Sequence, residues 1–191
     1  SRWRRRVPTP RMLFRCCVLP SMPAATAGVT GPVIFVTVVI GIASLGFDSD
    51  ANRIANQAPA QLGRLVYVYG LVRALAAWKH ASFTVDVDGE RVSFSGWSVA
   101  AANSTAYGGG MLLAPDARLD DGALDVVLIS DISKLGYIRT APSVFKGTHV
   151  RNPAVRVLRG AEVRVESDRP FVVYADGDPI GETPITLRAA P

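Results

Sequence analysis

Short apolar runs separated by turn residues dominate the chain after residue 30. The run at 33–42 is continuous and rich in β-branched residues, and 97–102 and 126–129 form two more. Runs of this length between turn residues are typical of buried strands. Four further short strands are predicted at 154–158, 162–166, 171–174 and 185–187. Strands at this spacing predict a mainly β fold, sandwich-like or barrel-like, with two to three helices, which is α+β overall.

A β-hairpin is predicted within residues 83–94. Apolar and polar residues alternate on both sides of Asp88-Gly89, which is a strong signal for a tight turn between two strands. The segment therefore adds two antiparallel strands to the predicted sheet.

Three helices are predicted. The first spans 49–56, with Ser49 and Asp50 as its cap. The second spans 60–78, because apolar residues recur there at helical spacing, and we expect this stripe to face the core. The third begins after Ser133, is kinked by Pro142 and ends at Gly147. The stripe of the second helix consists of Leu62, Leu65, Val66, Tyr69, Val72 and Leu75.

Charge is concentrated at the amino terminus. Six arginines and no acids occupy the first 15 residues, and the rest of the chain is almost neutral. The remaining basic residues are scattered among acids, which argues against nucleic-acid binding by the body of the protein. Residues 1–30 are predicted to have little structure, as a truncated or misassigned start rather than a targeting signal. Residues 31–191 are predicted to form the folded domain.

The cysteines and the apolar runs exclude several classes of protein. Cys16 and Cys17 are adjacent and are the only two cysteines, so neither a disulfide framework nor a zinc cluster is expected, and a reducing compartment fits best. The longest apolar run is shorter than the roughly 20 residues that a membrane-spanning helix needs.

An acidic loop at 116–125 is the first candidate site. Mg²⁺ and Ca²⁺ bind carboxylate and main-chain carbonyl oxygens, and the Asp120-Asp121-Gly122 turn can present both. The alternative is an ordinary turn, in which these residues serve only the backbone conformation.

A second acidic turn, Asp176-Gly177-Asp178, lies between the strands at 171–174 and 185–187. A carboxylate at such a tip could accept the proton of an alcohol during phosphoryl transfer. The alternative is a solvated hairpin tip. Asp88-Gly89-Glu90 is a similar string, but its clean alternating flanks favour a structural hairpin.

Three consecutive glycines, Gly108-Gly109-Gly110, leave a backbone segment without side chains. No Gly-Lys-Ser/Thr string follows, so a phosphate-binding loop of that type is not expected. Close packing of the backbone is the safer interpretation.

The segment from Gly108 to Asp125 resembles the carboxy-terminal domain of the diacylglycerol kinase catalytic family, bacterial lipid kinases related to sphingosine kinases. The similar pattern is Gly-Gly-Gly-Met-x-x-Ala-Pro-Asp-Ala-x-x-Asp-Asp-Gly-x-Leu-Asp, and the likeness extends from about Phe35 to the last residue. This resemblance implies Mg²⁺ held by the side chain of Asp121 and by the carbonyls of Arg118 and Ala123. It also implies that the glycine triplet forms a wall of the active-site cleft.

The resemblance further implies that Asp178 is the catalytic base, at a position where the family has Glu. The shorter side chain would displace the base by about 1 Å, which can lower the rate about a hundredfold unless the backbone lies closer to the substrate.

The implied function is ATP-dependent phosphorylation of diacylglycerol or a similar lipid. The family binds ATP through a Gly-Gly-Asp-Gly-Thr loop in an amino-terminal domain, and that string does not occur in this chain. We therefore expect the chain to be inactive alone, with this amino-terminal kinase domain as its partner. A cytoplasmic location with transient contact to the inner membrane surface is expected. A non-catalytic β-sandwich binding module and an NAD-kinase-type fragment are the alternatives.

Overall fold

The computed structural model describes residues 17–20, 41–106 and 108–189. Three α-helices occur in these ranges, α1 (Phe47–Asn56), α2 (Val66–Ala77) and α3 (Lys134–Thr140). Shorter 3₁₀ segments are found at Ala60–Leu65, Gly108–Gly110, Ala141–Lys146 and Thr148–Arg151. The strands are β1 (Cys17–Pro20), β2 (Ile42–Gly46), β3 (Ala81–Val87), β4 (Glu90–Ala102), β5 (Leu124–Ser130), β6 (Val155–Gly160), β7 (Glu162–Ser167), β8 (Val172–Ala175), β9 (Asp178–Glu182) and β10 (Ile185–Arg188).

All described strands belong to one antiparallel sheet, whose path runs β1-β10-β7-β3-β4-β2-β8-β9, with β5 and β6 joined to it through β4. The mainly β, sandwich-like fold with three helices confirms the class predicted from the sequence. Within the segment predicted to have little structure, Cys17–Pro20 form β1 and pair with β10.

Strand β4 links the two parts of the sheet. Its first half pairs with β3, and its second half lies between β2 and β5. The pairing with β5 is irregular between Gly96 and Ser98, and a Cβ at Gly96 would lie 2.3 Å from the carbonyl oxygen of Ile129. A side chain at this position would therefore collide with β5. The second half of β4 is buried on both faces, whereas its first half is largely exposed.

An aromatic cluster closes one end of the core beside α1. Phe47 contacts Trp78, Trp97 and Tyr137 edge to face, and Trp97 stacks on Tyr137 with ring centroids 4.2 Å apart. These rings come from two helices, a strand and the residue that follows α2. Pairs of this geometry add to the burial of apolar area that stabilises the fold.

Two predicted boundaries differ from the structure. β2 begins at Ile42, where the predicted strand 33–42 ends, and residues 33–40 lie outside the described residues. The predicted cap of α1 is wrong, because the helix begins at Phe47 after Gly46, and the Ser49 hydroxyl donates to the Gly46 carbonyl.

The predicted helix at 60–78 is also different. A 3₁₀ segment containing Gly63 at φ 50° precedes α2, so the helix is shorter. Its stripe does not face the core as predicted, since Leu65 is 62% and Val72 is 58% exposed. Instead, Gly70 faces α1 so closely that a Cβ there would lie 2.6 Å from the Ala51 carbonyl oxygen. Small residues therefore make the helix–helix contact, and most of the large apolar side chains point outward, whereas Leu75 packs against the core.

The other turn signals are confirmed. Asp88 and Gly89 have φ of 49° and 93° in the β3–β4 turn. Ser133 accepts a hydrogen bond from the Gly136 amide at 3.1 Å and begins α3. Gly147 adopts φ 65° and ends the 3₁₀ segment that follows α3.

Candidate functional site

The Asp-Asp-Gly turn orients one carboxylate before β5 begins. Asp121 Oδ1 accepts a hydrogen bond from the Ala123 amide at 3.1 Å, and Oδ2 accepts one from the guanidinium of Arg159. Gly122 has φ 67°, a conformation that favours glycine. Although the turn is exposed, the Asp121 side chain is only 18% exposed because Arg159 covers it. The carboxylate is thus held in a fixed position at the surface.

A second carboxylate lies buried beside this turn. Asp125 on β5 is 6% exposed, and no described residue donates a hydrogen bond to its Oδ2 atom. Burial raises the pKa of Asp125, the positive charge of Arg159 lowers it, and the charges of Asp121 and Asp116 raise it again. Three acids and a single arginine therefore act on one another here, and a cation would relieve the surplus of negative charge.

The chemistry of this turn fits a hard cation held partly by main-chain oxygens. In the described part of the chain, no group of three or more metal-ligating side chains converges on one point. The set implied for Mg²⁺ is of another type, with the Asp121 carboxylate and the carbonyls of Arg118 and Ala123, and such oxygen donors suit Mg²⁺ and Ca²⁺. The unpartnered Oδ2 of Asp125 is consistent with a positive charge at this position.

The second acidic turn connects β8 to β9. Asp176 and Gly177 adopt φ of 51° and 99° at its tip. The Asp176 carboxylate accepts hydrogen bonds from the amides of Gly41 and Ile42, both at 3.1 Å, and so fastens the turn to the start of β2. Asp178 is exposed and begins β9 opposite Ala175. The hairpin partner predicted at 185–187 was therefore wrong, because β9 pairs with β8 instead.

The strand registers bring both turns to the same edge of the sheet. Asp125 at the start of β5 pairs with Ala102 at the end of β4, and Ala102 pairs with Ile42 at the start of β2. β2 then pairs with the end of β8, whose Ala175 pairs with Asp178. Four strand spacings separate β5 from β9, about 19 Å along a flat sheet. Asp121 and Asp178 thus share an edge but do not contact each other, and only a larger ligand or a second domain would touch both.

The glycine triplet is more open than predicted. Gly109 and Gly110 adopt φ of 77° and 82°, and a Cβ built at either position would have no atom within 4 Å. Close backbone packing is therefore wrong at these two positions, and the need for positive φ accounts for glycine there.

The Asp88-Gly89-Glu90 string lies at the opposite end of β4 from the candidate edge. Both oxygens of Asp88 accept hydrogen bonds at 2.8 Å from the amides of Ala161 and Glu162. This acid therefore joins two hairpins, in agreement with its prediction as a structural turn.

One acidic residue beside the aromatic cluster has no signal in the local sequence pattern. Asp48 lies in the first turn of α1 and is half-buried, and the Tyr137 hydroxyl donates to it over 3.4 Å. Burial raises the pKa of Asp48 from 3.8 to about 6, against the opposing effects of hydrogen bonds with Tyr137 and Ser98. Its surroundings come from segments up to 89 residues apart, which no local pattern could bring together.

A family model described as "YegS C-terminal NAD kinase beta sandwich-like domain" matches residues 41–191. The chain belongs to this family. The match includes both acidic turns and begins at Gly41, whose amide is bound by Asp176. The resemblance to carboxy-terminal domains of diacylglycerol-kinase-type lipid kinases is thereby confirmed.

Curated relatives agree with this assignment. "Diacylglycerol kinase" of Mycobacterium tuberculosis is 34% identical over 152 residues, which cover 78% of this chain and 48% of the relative. "Probable lipid kinase YegS-like" of Chromohalobacter salexigens is 30% identical over 145 residues, covering 73% of this chain and 45% of the relative. The chain thus spans about half the length of the curated relatives that it matches.

Solved structures share the fold. Two Bacillus anthracis str. Sterne chains, each carrying diacylglycerol kinase in its description, superpose with TM-scores of 0.60 and 0.52 at 17% and 13% identity. The matched regions cover 79% and 80% of this chain, and 49% and 46% of those chains. At this level of identity the likeness concerns the fold alone.

Proposed function

We propose that this chain is the acceptor-side half of an ATP-dependent lipid kinase. The reaction transfers the γ-phosphoryl group of ATP to the hydroxyl of diacylglycerol or a similar long-chain alcohol. The observation that carries the proposal is the common sheet edge of the Asp121 and Asp178 turns, in a chain of the lipid-kinase family. A separate amino-terminal domain makes most of the contacts with ATP. The reaction takes place at the inner membrane surface.

Asp178 is the residue that we propose as general base. Its carboxylate accepts the proton of the acceptor hydroxyl as the hydroxyl oxygen bonds to the γ-phosphorus and the bond to ADP breaks. Asp178 is exposed at the sheet edge, so an acceptor can reach it. Asp176 anchors the turn that carries the base to the start of β2 through the amides of Gly41 and Ile42.

The Asp121 turn is the proposed metal-binding part of the site. The Asp121 carboxylate and the carbonyls of Arg118 and Ala123 would hold Mg²⁺, and the ion would supply positive charge that stabilises this acidic edge beside the phosphates. The Ala123 amide holds the carboxylate in place, and a cation would displace the Arg159 guanidinium from its other oxygen. The buried, unpartnered oxygen of Asp125 favours a cation here rather than a plain turn.

The experiment joins this chain to the amino-terminal half of the M. tuberculosis relative and measures transfer of labelled phosphate from ATP to diacylglycerol in detergent micelles. We expect product from the chimera and none from this chain alone. Asp178→Asn should lower kcat by about a hundredfold or more, since general-base catalysis contributes that much.

The matched control is Glu90→Gln, which removes an exposed carboxylate in the similar Asp-Gly-Glu turn at the other end of β4. It should leave kcat unchanged. Absence of product from a folded chimera, while the intact relative is active, would refute the proposed function. Phosphorylation of NAD instead of the lipid would refute the lipid acceptor, and an unaffected Asp178→Asn variant would refute the proposed base.

A further inference from the structure

One buried histidine supports the loop that leads to the proposed metal ligands. His149 lies in the 3₁₀ segment Thr148–Arg151 and is 1% exposed. Its Nε2 atom lies 3.0 Å from the carbonyl oxygen of Leu113, in the loop formed by residues 111–117. The residue that follows this loop is Arg118, whose carbonyl is one of the proposed ligands. The histidine therefore contacts the chain shortly before a ligand of the proposed site.

Residues just before His149 pack against the 111–117 loop at two further points. The Leu112 amide donates a hydrogen bond to the carbonyl of Val144 over 3.0 Å. A Cβ at Gly147 would lie 2.7 Å from the Pro115 ring, so a side chain at this position would push the loop away. The loop thus rests on residues 144–149 through three separate contacts, of which the His149 hydrogen bond is the one made by a polar side chain.

The other side of the loop faces the core. Leu113, Ala114 and Ala117 are buried in a small apolar cluster with residues of β2, β4, β5 and β6. The loop is therefore enclosed between the sheet and residues 144–149. The proposed ligands Asp121 and Ala123 are supported differently, because they directly precede β5. The depth at which the loop lies thus decides how the Arg118 carbonyl is placed relative to the other two ligands.

The imidazole ring of His149 is a neutral hydrogen-bond donor. A carbonyl oxygen only accepts hydrogen bonds, so Nε2 carries the proton and donates it to Leu113. Nδ1 is buried and has no hydrogen-bond partner among the described residues. Burial lowers the pKa of His149, against the raising effect of the hydrogen bond to Leu113. The ring therefore has one tautomer and one orientation, and it holds the Leu113 carbonyl at a fixed distance.

We propose that His149 is a positioning residue for the metal site. By holding the Leu113 carbonyl, it sets the 111–117 loop so that the Arg118 carbonyl reaches an ion bound by Asp121 and Ala123. This inference rests on the proposed function, which assigns those three ligands. It adds a residue that lies 36 positions from Leu113 in the sequence. Residues that orient metal ligands without touching the metal change its affinity about 10- to 100-fold when they are replaced.

The test compares two substitutions of His149 in the full chain. His149→Gln keeps an N–H donor at a similar reach, whereas His149→Phe keeps a planar ring without a donor. The control is Val165→Ala on β7, because Val165 is 0% exposed in a different cluster of core side chains from the one that contains the loop. It lowers stability by leaving a cavity far from the proposed site. Circular dichroism and thermal melting verify that each variant is folded.

Metal affinity is measured by isothermal titration calorimetry with Ca²⁺ or Mg²⁺ alone, without nucleotide. We expect His149→Phe to weaken binding about tenfold or more, because the Arg118 carbonyl is displaced. His149→Gln should bind more tightly than His149→Phe, and Val165→Ala should stay within about twofold of the original chain, since distant sites act independently. Equal losses in His149→Phe and Val165→Ala, or equal losses in the two His149 variants, would overturn the proposal.

Hydrogen exchange in the absence of metal is a second measurement. The amides of Leu112, Ala114 and Ala117 donate to main-chain carbonyls, so their exchange reports opening of the loop. These amides should exchange about tenfold faster in His149→Phe than in His149→Gln, because one variant lacks the buried hydrogen bond that the other keeps. The amides of β7 should exchange alike in both. Equal exchange of the loop in the two variants would contradict the role of His149.

The outcomes separate this inference from the proposed function. If His149→Phe leaves metal affinity and loop exchange unchanged while the chimera phosphorylates diacylglycerol, the inference fails and the kinase proposal stands. If the His149 variants behave as expected but no chimera produces phosphorylated lipid, His149 positions a metal site and the kinase proposal fails. If the original chain binds neither ion, the metal site and this inference fail together, and the Asp178→Asn chimera still tests the proposed base.

Discussion

The ionisation of Asp48 offers a direct test of how the aromatic end of the core is built. The carboxyl group lies beside Tyr137 and Ser98, in the first turn of α1, and burial raises its pKa from 3.8 to about 6. Asp48→Asn replaces the carboxyl with a neutral group of almost the same shape. The substitution therefore removes the charge while keeping the packing.

The magnitude and sign follow from linkage. The folded-state pKa lies above the unfolded value, so the folded chain binds the proton more tightly. The associated stability is fully present below about pH 4 and is lost as the pH rises through about 6. A rise from 3.8 to about 6 corresponds to at most about 3 kcal/mol, at 1.36 kcal/mol for each pH unit. Asp48→Asn should therefore raise the free energy of unfolding by up to about 3 kcal/mol at about pH 8, relative to its effect at about pH 4.

The assay is urea unfolding of both chains at the two pH values, with the difference between the chains compared across pH. Other groups titrate as well, since burial raises the pKa of Asp125 and lowers that of His149. Their contributions are common to both chains and cancel in the difference. If Asp48→Asn changes stability by the same amount at both pH values, burial does not control the ionisation of Asp48, and the reasoning is wrong.

Two further predictions concern the candidate edge and the start of α1. Arg159→Gln should enlarge the rise in melting temperature that Mg²⁺ or Ca²⁺ produces, because the cation then no longer competes with the guanidinium for the Asp121 carboxylate. An unchanged rise would contradict this competition between the cation and Arg159. Gly46→Ala should lower the free energy of unfolding by more than about 2 kcal/mol, because its Cβ would lie 2.5 Å from the Trp97 carbonyl oxygen at φ 98°. Gly177→Ala is the control, because Gly177 has φ 99° but no atom would lie within 4 Å of the added Cβ. In urea unfolding it should lower the free energy of unfolding by only about 1 kcal/mol. Equal losses of stability in the two variants would refute the steric argument.

The sequence predicted those elements whose signals are local. The Asp88-Gly89 turn, the Ser133 cap and the Gly147 stop depend on the conformations of a few neighbouring residues, and all three are present. β9 was missed because Asp178-Pro179-Ile180-Gly181 resembles a turn by composition, and only its pairing with β8 makes it a strand.

Helical spacing identified the stripe on α2 but not the direction in which it points. Large apolar residues usually face a core, whereas here the close contact of Gly70 with α1 takes that side. The placement of the two acidic turns at one edge of the sheet was equally inaccessible from local pattern. It depends on registers among β5, β4, β2 and β8, strands whose sequence separation no periodicity can relate.

The bonds from Asp176 to Gly41 and Ile42 have a mechanical consequence. They couple the backbone entering β2 to the turn that carries Asp178, across 135 residues of sequence. A displacement of the chain at Gly41 is thus transmitted to the proposed base within two residues of the anchor. The amino-terminal domain that we propose would therefore act on this carboxylate through the Asp176 contact.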